Sequence, residues 1–219
     1  MVDVQEILHT NFNVDGDVTI NSHGVVDVKG YVSLEKNMAH LPVQFGTVTG
    51  HFSCSYSKLT SLVGSPHHVG GEFICTHNPL TSLKGGPSYV GGAYSCQGTS
   101  ITNLVGAPRH VGNDFTCTHT PILNLMGAPD HVEGDFICNG NTQLTSLEGA
   151  PSKVDGSFLL TYNPELPLLR LLNYKFVHLY AASPQLRHIM EKYAGEGKPG
   201  AIKAAAELIK AGYKGNARW

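Results

Sequence analysis

The sequence predicts a repeat solenoid whose parallel β-sheet is built from units of 20–22 residues, and three recurring features carry that prediction. Five cysteines follow one another at a constant interval of 21 residues: Cys54, Cys75, Cys96, Cys117 and Cys138. An aromatic residue stands two positions before each cysteine: Phe52, Phe73, Tyr94, Phe115 and Phe136. Prolines keep the same period, apart from one residue inserted after the fifth cysteine: Pro66, Pro87, Pro108, Pro129 and Pro151. A period of this length is typical of solenoids, in which each unit packs only against its neighbours.

The segment from the aromatic residue to the cysteine predicts a short strand in every unit. Side chains alternate between the two faces of a strand, so the aromatic ring and the thiol share the inward face. Neighbouring units stack about 4.8 Å apart, and each inward position becomes a ladder of similar side chains. We therefore interpret the five cysteines as small core hydrophobes. One thiol per unit does not supply the several ligands that a zinc ion gathers around one point, and we expect neither a metal site nor disulfides.

Degraded copies of the unit precede the first cysteine. Residues 14–20 and 28–34 carry the same alternation, with aliphatic side chains in place of the aromatic residue and the cysteine. We expect two strands joined by a short turn over residues 21–24, which cap the solenoid and bring the stacked strands to about eight. The predicted boundaries are 1–34 for the N-terminal capping strands and 35–164 for the solenoid.

Composition changes after residue 164, where leucine and then alanine replace glycine as the frequent residue. Segment 165–219 predicts an α-helical C-terminal cap of three short helices that covers the last unit. The first helix is expected within residues 166–180. Ser183 is the predicted N-cap of the second helix, which runs to about residue 193, and the third covers residues 201–211.

The averaged unit, with its N-x-L-T-S-L segment, resembles a short leucine-rich repeat of the 20- to 21-residue bacterial type. Asn78, Asn141 and Asn163 stand at the position of that family's asparagine ladder, and the resemblance implies a leucine-rich-repeat-like parallel sheet. Aromatic residues and cysteines replace two strand leucines, which departs from the family pattern. The consensus LTSLxGAPxxVGGDFxC and the C-terminal stretch NPELPLLRLLNYKF are similar to leucine-rich-repeat proteins of tailed bacteriophages. This second resemblance implies a phage origin and no established activity.

Charge and composition restrict the class of protein. With 41% apolar and 15% charged residues, the chain has enough apolar material for a core and does not match an acidic disordered segment. The apolar stretches are too short to span a membrane and the first dozen residues do not match a secretory leader. We therefore expect a cytoplasmic protein, in the host cytoplasm if the chain is phage-encoded.

Charge is distributed unevenly along the chain. Residues 1–164 contain 6 basic and 13 acidic residues, for a net charge of −7. Residues 165–219 contain 9 basic and 4 acidic residues, for a net charge of +5.

The outward side of the predicted strands is the expected binding surface, because a sheet holds such residues in rigid rows. Its candidate residues are small and polar, with a few acids and aromatic rings: Tyr56, Glu72, Thr76, His77, Gln97, Asp114, Thr118, His119, Asn139 and Tyr162. Such a surface suits a protein partner better than a small-molecule pocket. We predict a non-enzymatic protein-binding module that engages a host or phage macromolecule, and the phage resemblance implies interference with a host defence as one role.

Other functions stay open at this level. His77 and His119, with Arg109, are candidates for phosphate contacts in a protein that binds, sequesters or processes a nucleotide or another small anion. The basic C-terminal segment is a candidate contact for nucleic acid, and a virion-associated structural protein is a third class. Asp114 and Asp135 fall on adjacent units, a spacing that could pair two carboxylates for acid–base catalysis.

The spacing of the histidines does not predict a metal site either. His77 and His119 lie two units apart, or about 10 Å, which is too far for one ion. Three others fall two residues after a repeat proline, on the predicted turn edge: His68, His110 and His131. We expect no cofactor and no membrane contact.

Overall fold

The protein is a parallel β-solenoid of about seven turns with a repeat spacing of 21 residues, which confirms the predicted fold class. The structure is a computed structural model that describes residues 3–219. A hairpin and a helix form its N-terminal end, and a largely helical region forms its C-terminal end. The strands of the described residues belong to one sheet.

The N-terminal cap contains a helix in addition to the predicted hairpin. Helix α1 (Val4–Asn11) begins after Asp3, whose carboxylate accepts a 2.9 Å hydrogen bond from a backbone N–H of the first turn. Strands β1 (Phe12–Ile20) and β2 (Val25–Leu34) pair antiparallel, and the turn between them ends on Gly24 at φ 76°. The sequence predicts this hairpin and its turn but not the helix.

Strand β2 starts two ladders of parallel strands, one from each of its halves. The first ladder continues through β3 (Gln44–Val48), β5 (His68–Val69), β7 (Tyr89–Val90), β9 (His110–Val111), β11 (His131–Val132) and β13 (Lys153–Val154). The second ladder continues through β4 (Phe52–Ser53), β6 (Phe73–Ile74), β8 (Tyr94–Ser95), β10 (Phe115–Thr116), β12 (Phe136–Cys138), β14 (Ser157–Thr161) and β15 (Phe176–Tyr180). The sequence predicts only the second ladder, because a two-residue strand around one repeated valine has no alternation to recognise.

Glycines line the bend between the two ladders. A Cβ atom built on Gly92 would lie 2.8 Å from the carbonyl carbon of Gly71 in the preceding unit. The N–H of Gly92 donates a 2.9 Å hydrogen bond to the carbonyl oxygen of the same Gly71. The close approach of successive backbones therefore explains the repeated V-G-G segment.

The core consists of ladders of similar side chains. The aromatic ladder runs from Phe12 to Tyr174 with neighbouring ring centroids 4.8–5.6 Å apart. Full burial of one such side chain stabilises the fold by roughly 1.5–3 kcal/mol. The five cysteines are buried in the same core as free thiols, as the sequence predicts.

Buried polar side chains join successive units where the strands of the second ladder end. Asn78 accepts hydrogen bonds of 3.0 and 2.9 Å from the backbone N–H groups of Ser57 and Leu59 in the preceding unit. Asn141 bridges to Thr120 in the same way, at 2.8 Å. The hydroxyl of Thr99 fills the position in a unit between them and donates to the carbonyl of its own unit's cysteine at 2.8 Å. Asn78 and Asn141, two of the asparagines singled out by the leucine-rich-repeat resemblance, are thus buried bridges between units.

The C-terminal region departs from the prediction in its first element. Residues Leu169–Asn173 form a short 3-10 helix, and β15 is a strand paired in parallel with β14. The predicted helix within residues 166–180 is therefore wrong. In β15 the buried Val177 and Leu179 alternate with exposed residues, which is the period of a strand that covers the last unit.

The two remaining helices confirm the prediction. Helix α2 (Pro184–Lys192) begins at Ser183, whose hydroxyl accepts a 3.1 Å hydrogen bond from a backbone N–H of the first turn. Helix α3 (Gly197–Lys210) begins four residues before its predicted start, and Gly212 follows its end at φ 93°.

Candidate functional site

The outward side of the second ladder forms a continuous surface, which we call the sheet face. It consists of two rows of side chains, one from the middle of each strand and one from the position after each cysteine. The row from the middle of the strands is Ser53, Ile74, Ser95, Thr116, Ile137 and Leu159. The row that follows the cysteines is Ser55, Thr76, Gln97, Thr118 and Asn139, and Thr161 continues it in the last unit. None of these twelve residues is charged.

Stacking of the units positions this face. Each inward aromatic residue and cysteine is buried, so the residues between and after them are directed outward by the alternation of the strand. Hydrogen bonds also join outward residues to the neighbouring units. The hydroxyl of Thr76 donates to Ser55 at 3.0 Å, and Thr161 accepts from the N–H of Gly140 at 2.9 Å. Such contacts restrict the side-chain rotamers and make the face rigid before any partner arrives.

Acidic residues border the sheet face on the side of the bend. Asp114 accepts a 2.8 Å hydrogen bond from the N–H of Asp135, and Asp135 accepts one of 2.7 Å from the N–H of Ser157. Each carboxylate thus bridges to the backbone of the next unit. Glu72 lies in the same row, where its N–H donates to the ring of His51 at 2.9 Å. The pairing of Asp114 with Asp135 therefore has a structural explanation that needs no catalysis.

Aromatic rings border the sheet face on its other side. Tyr56, His77 and His119 lie there in the left-handed backbone region, with φ values of 55°, 53° and 54°. Tyr56 stacks on His77 with the ring centroids 4.5 Å apart, and its side chain is exposed. Glycines occupy the same position in the units after His77 and His119 and leave room for each imidazole: Gly98 and Gly140.

Three of the predicted site residues are less accessible to a binding partner than the sequence indicates. Thr118 is buried within its row. Asn139 is half-buried, and its Oδ1 atom has no hydrogen-bond partner among the described residues. Tyr162 donates a 3.0 Å hydrogen bond to Asn216 of the C-terminal region, and partial burial raises the pKa of its phenol. Tyr162 therefore holds the cap against the solenoid.

Strand β15 adds residues to the face that the sequence analysis missed. Its register places His178 beside Leu159 and Tyr180 beside Thr161, so both rows continue for one more unit. Both side chains are exposed. The alternation of apolar and polar residues in Phe-Val-His-Leu-Tyr is the signal that could have revealed this strand.

The groups predicted for phosphate contacts lie apart. Arg109 precedes β9 at the beginning of its unit, and His119 follows β10 ten residues later, so two strands and a bend separate them. His77 lies at the same end as His119, two units away. These residues do not surround one common site.

The thiols have the properties of core residues. Burial raises the pKa of each of the five cysteines, to about 12 for Cys75. Because the thiolate is the form that attacks substrates and binds metals, these five groups are unreactive in the folded protein.

Fold and surface together define the protein as a parallel β-solenoid with a rigid, uncharged sheet face. No protein-family model matches the sequence, and neither a curated protein nor a solved structure matches it. Among residues 3–219, no helix combines the length and apolar character needed to cross a membrane.

Proposed function

We propose that the protein is a non-enzymatic binding module whose sheet face engages a protein partner. The observation that carries this proposal is the absence of charge from the twelve outward residues of the sheet face. Depletion of charged side chains is typical of the centre of a protein interface, and a polar rim typically surrounds it. Here the rim consists of Glu72 and Asp114 on one side and Tyr56, His77 and His119 on the other.

The dimensions of the face suit such a partner. The strands from β4 to β15 occupy seven consecutive positions of the second ladder, so the face is about 29 Å long at a strand spacing of about 4.8 Å. With both rims included, it is about 20 Å wide at about 3.3 Å per residue. The resulting area of about 600 Å² approaches the roughly 800 Å² that each partner of a standard interface buries.

Other classes of ligand fit this surface less well. A nucleic acid requires basic side chains against its phosphates, and the sheet face has none. Catalysis is disfavoured because the carboxylates of Asp114 and Asp135 already bridge the backbone of neighbouring units. The phage resemblance suggests that the partner is a host or phage protein, with a host defence component as one candidate, and that binding occurs in the host cytoplasm.

A pair of arginine substitutions tests the proposal. Thr76→Arg with Gln97→Arg places two long charged side chains in the sheet face, whereas Thr81→Arg with Thr102→Arg places them on exposed loop positions of the same two units. Each tagged variant is used to capture proteins from infected host cells, followed by mass spectrometry and binding measurements with the purified partner. The face variant should lose a partner that the unmodified protein and the loop variant retain. Equal retention of that partner by both variants would contradict the proposal.

A further inference from the structure

A column of aromatic rings lines the outward edge of the first ladder. His68 stacks on Tyr89 with the ring centroids 4.5 Å apart and the planes within 2° of parallel, and Tyr89 stacks on His110 at 5.5 Å and 18°. The next pair breaks the pattern. His110 and His131 are 5.4 Å apart with an interplanar angle of 66°, so the edge of one ring faces the other. The ring nitrogens, which lie on the edges, are thereby brought towards neighbouring groups.

Carboxylates contact the two histidines whose rings turn edge to face. The position two residues after each ring is Gly70, Gly91, Gly112 and then Glu133, and the same position of the next unit, two residues after Lys153, is Asp155. Glu133 lies 3.4 Å from Nε2 of His110, and Asp155 lies 2.7 Å from Nε2 of His131. Each acid thus contacts the histidine of the unit before it.

We propose that His110, His131 and Glu133 form a binding site for a divalent transition-metal ion, with Zn²⁺ as the ion to test. One ligand atom from each of the three residues lies within 4.8 Å of the other two. Zinc prefers imidazole nitrogen and carboxylate oxygen at about 2.0–2.2 Å, so tetrahedral ligand atoms lie roughly 3.3–3.5 Å apart. The ligand atoms need to approach one another by at most about 1.5 Å. All three side chains are partly exposed.

The site would have three protein ligands and an open fourth position, as catalytic zinc sites do. The carboxylates of Glu133 and Asp155 at this cluster favour a cation, whereas the ammonium group of Lys153 opposes one. The ammonium group of Lys153 lies 2.9 Å from Asp155 and 3.2 Å from Nε2 of His131. This ammonium competes with a metal ion for the same groups.

The spacings of the cysteines and of His77 with His119 do not reveal this cluster. The relevant pattern is two histidines separated by one unit of 21 residues, with a glutamate two residues after the second. Only the stacking of units brings His110 beside His131 and Glu133. The site lies on the first ladder and is independent of the sheet face.

Calorimetric titration of the full chain with zinc sulfate at pH 7.5 tests the proposal. We expect one equivalent of Zn²⁺ to bind, and His110→Ala or Glu133→Gln to weaken the binding by about tenfold or more, the loss typical even of outer groups around a metal. His68→Ala is the matched control, because His68 belongs to the same column and has glycine, not a carboxylate, in the neighbouring unit. This control should bind as the unmodified protein does. The Lys153→Ala variant should bind Zn²⁺ more tightly than the unmodified protein, because the competing ammonium group is absent.

Absorption of the cobalt-substituted protein distinguishes this site from the cysteines. Nitrogen and oxygen ligands give visible bands of Co²⁺ without the intense thiolate charge-transfer band. The proposal is overturned if the unmodified protein binds no stoichiometric Zn²⁺, if His68→Ala weakens binding as much as His110→Ala, or if the thiolate band appears while circular dichroism shows the native fold.

Discussion

The side-chain amide of Asn78 donates a 2.8 Å hydrogen bond to the backbone carbonyl of Cys54, one unit earlier. The same NH2 group donates to the carbonyl of Cys75 in its own unit at 3.1 Å. With the two bonds that its Oδ1 atom accepts and a longer bond of 3.4 Å to the carbonyl of Thr76, one buried side chain makes five hydrogen bonds to backbone groups. The stability of the stack therefore depends on a few polar residues as well as on its apolar ladders.

Replacement of this asparagine should be strongly destabilising. Asn78→Ala removes these hydrogen bonds and leaves buried backbone groups without partners, so we expect the free energy of unfolding to fall by about 3–5 kcal/mol. Asn103→Ala is the matched control, since the half-buried Asn103 accepts one local bond of 3.0 Å from the N–H of Val105. Urea denaturation of both variants measures the difference. A loss in Asn78→Ala no larger than in the control would show that water replaces the bridge.

Loss of the Tyr94 hydroxyl should be stabilising. Tyr94 occupies a position that is phenylalanine in neighbouring units, and the one hydrogen-bond partner of its buried hydroxyl among the described residues is the thiol of Cys75, at 4.0 Å. We expect Tyr94→Phe to raise the free energy of unfolding by about 1 kcal/mol, because a buried hydroxyl with one weak partner opposes folding.

Tyr174→Phe provides the contrast for Tyr94→Phe. The hydroxyl of Tyr174 donates a 2.6 Å hydrogen bond to the carbonyl of Pro151, so the same substitution should lower the free energy of unfolding by about 1 kcal/mol. Thermal and urea unfolding of both variants check the opposite signs. Destabilisation of equal size in the two proteins would contradict the account of Tyr94.

The buried thiols predict a pH dependence of stability. Burial raises the pKa of Cys75 to about 12 and that of the other four cysteines above the usual value, whereas thiols of the unfolded chain ionise near pH 8.5. The unfolded chain therefore releases protons that the folded protein keeps. Stability contributed by these groups is fully present below about pH 8.5 and falls as the pH rises above it.

Two measurements check this prediction. Urea unfolding between pH 7 and pH 10 should show a loss of stability that begins near pH 8.5 and is reduced in Cys96→Ala, after allowance for the lower starting stability of that variant. A thiol reagent such as Ellman's reagent should react with none of the cysteines in native buffer and with all five in guanidinium chloride. Rapid reaction of one thiol in native buffer would show that the core opens locally around that cysteine.

A second asparagine should determine how firmly the C-terminal region is attached. Asn216 is buried, donates to the carbonyls of Asn163 and Leu166 at 3.1 and 2.9 Å, and accepts from Tyr162. We expect Asn216→Ala to lower the free energy of unfolding by about 2–4 kcal/mol and to increase hydrogen exchange in β15 and the helices. Asn173→Ala, at an exposed position of the same region, should change neither quantity. Unchanged exchange in Asn216→Ala would show that apolar contacts alone attach the cap.

Much of the site was predictable because its geometry repeats with the unit. Once the aromatic residue and the cysteine are assigned to the core, strand alternation directs Thr76 and Gln97 outward, and the structure has them there. The hydrogen bonds made by the Asp114 carboxylate and the Tyr162 hydroxyl were not predictable in this way. Their hydrogen-bond partners lie 21 and 54 residues away, and no local pattern identifies them.

The sequence by itself determined the repeat period, the inward ladders, the hairpin and the last two helices, because these follow from alternation, turn residues and caps within short segments. Only the tertiary structure decided that the segment before α2 is the strand β15, since that strand depends on an open edge at β14. It alone also placed His110, His131 and Glu133 side by side. The physical reason is the same in both cases. Stacking of the units determines which residues touch, and it pairs residues that are distant in the chain. Local periodicity carries no information about such pairs.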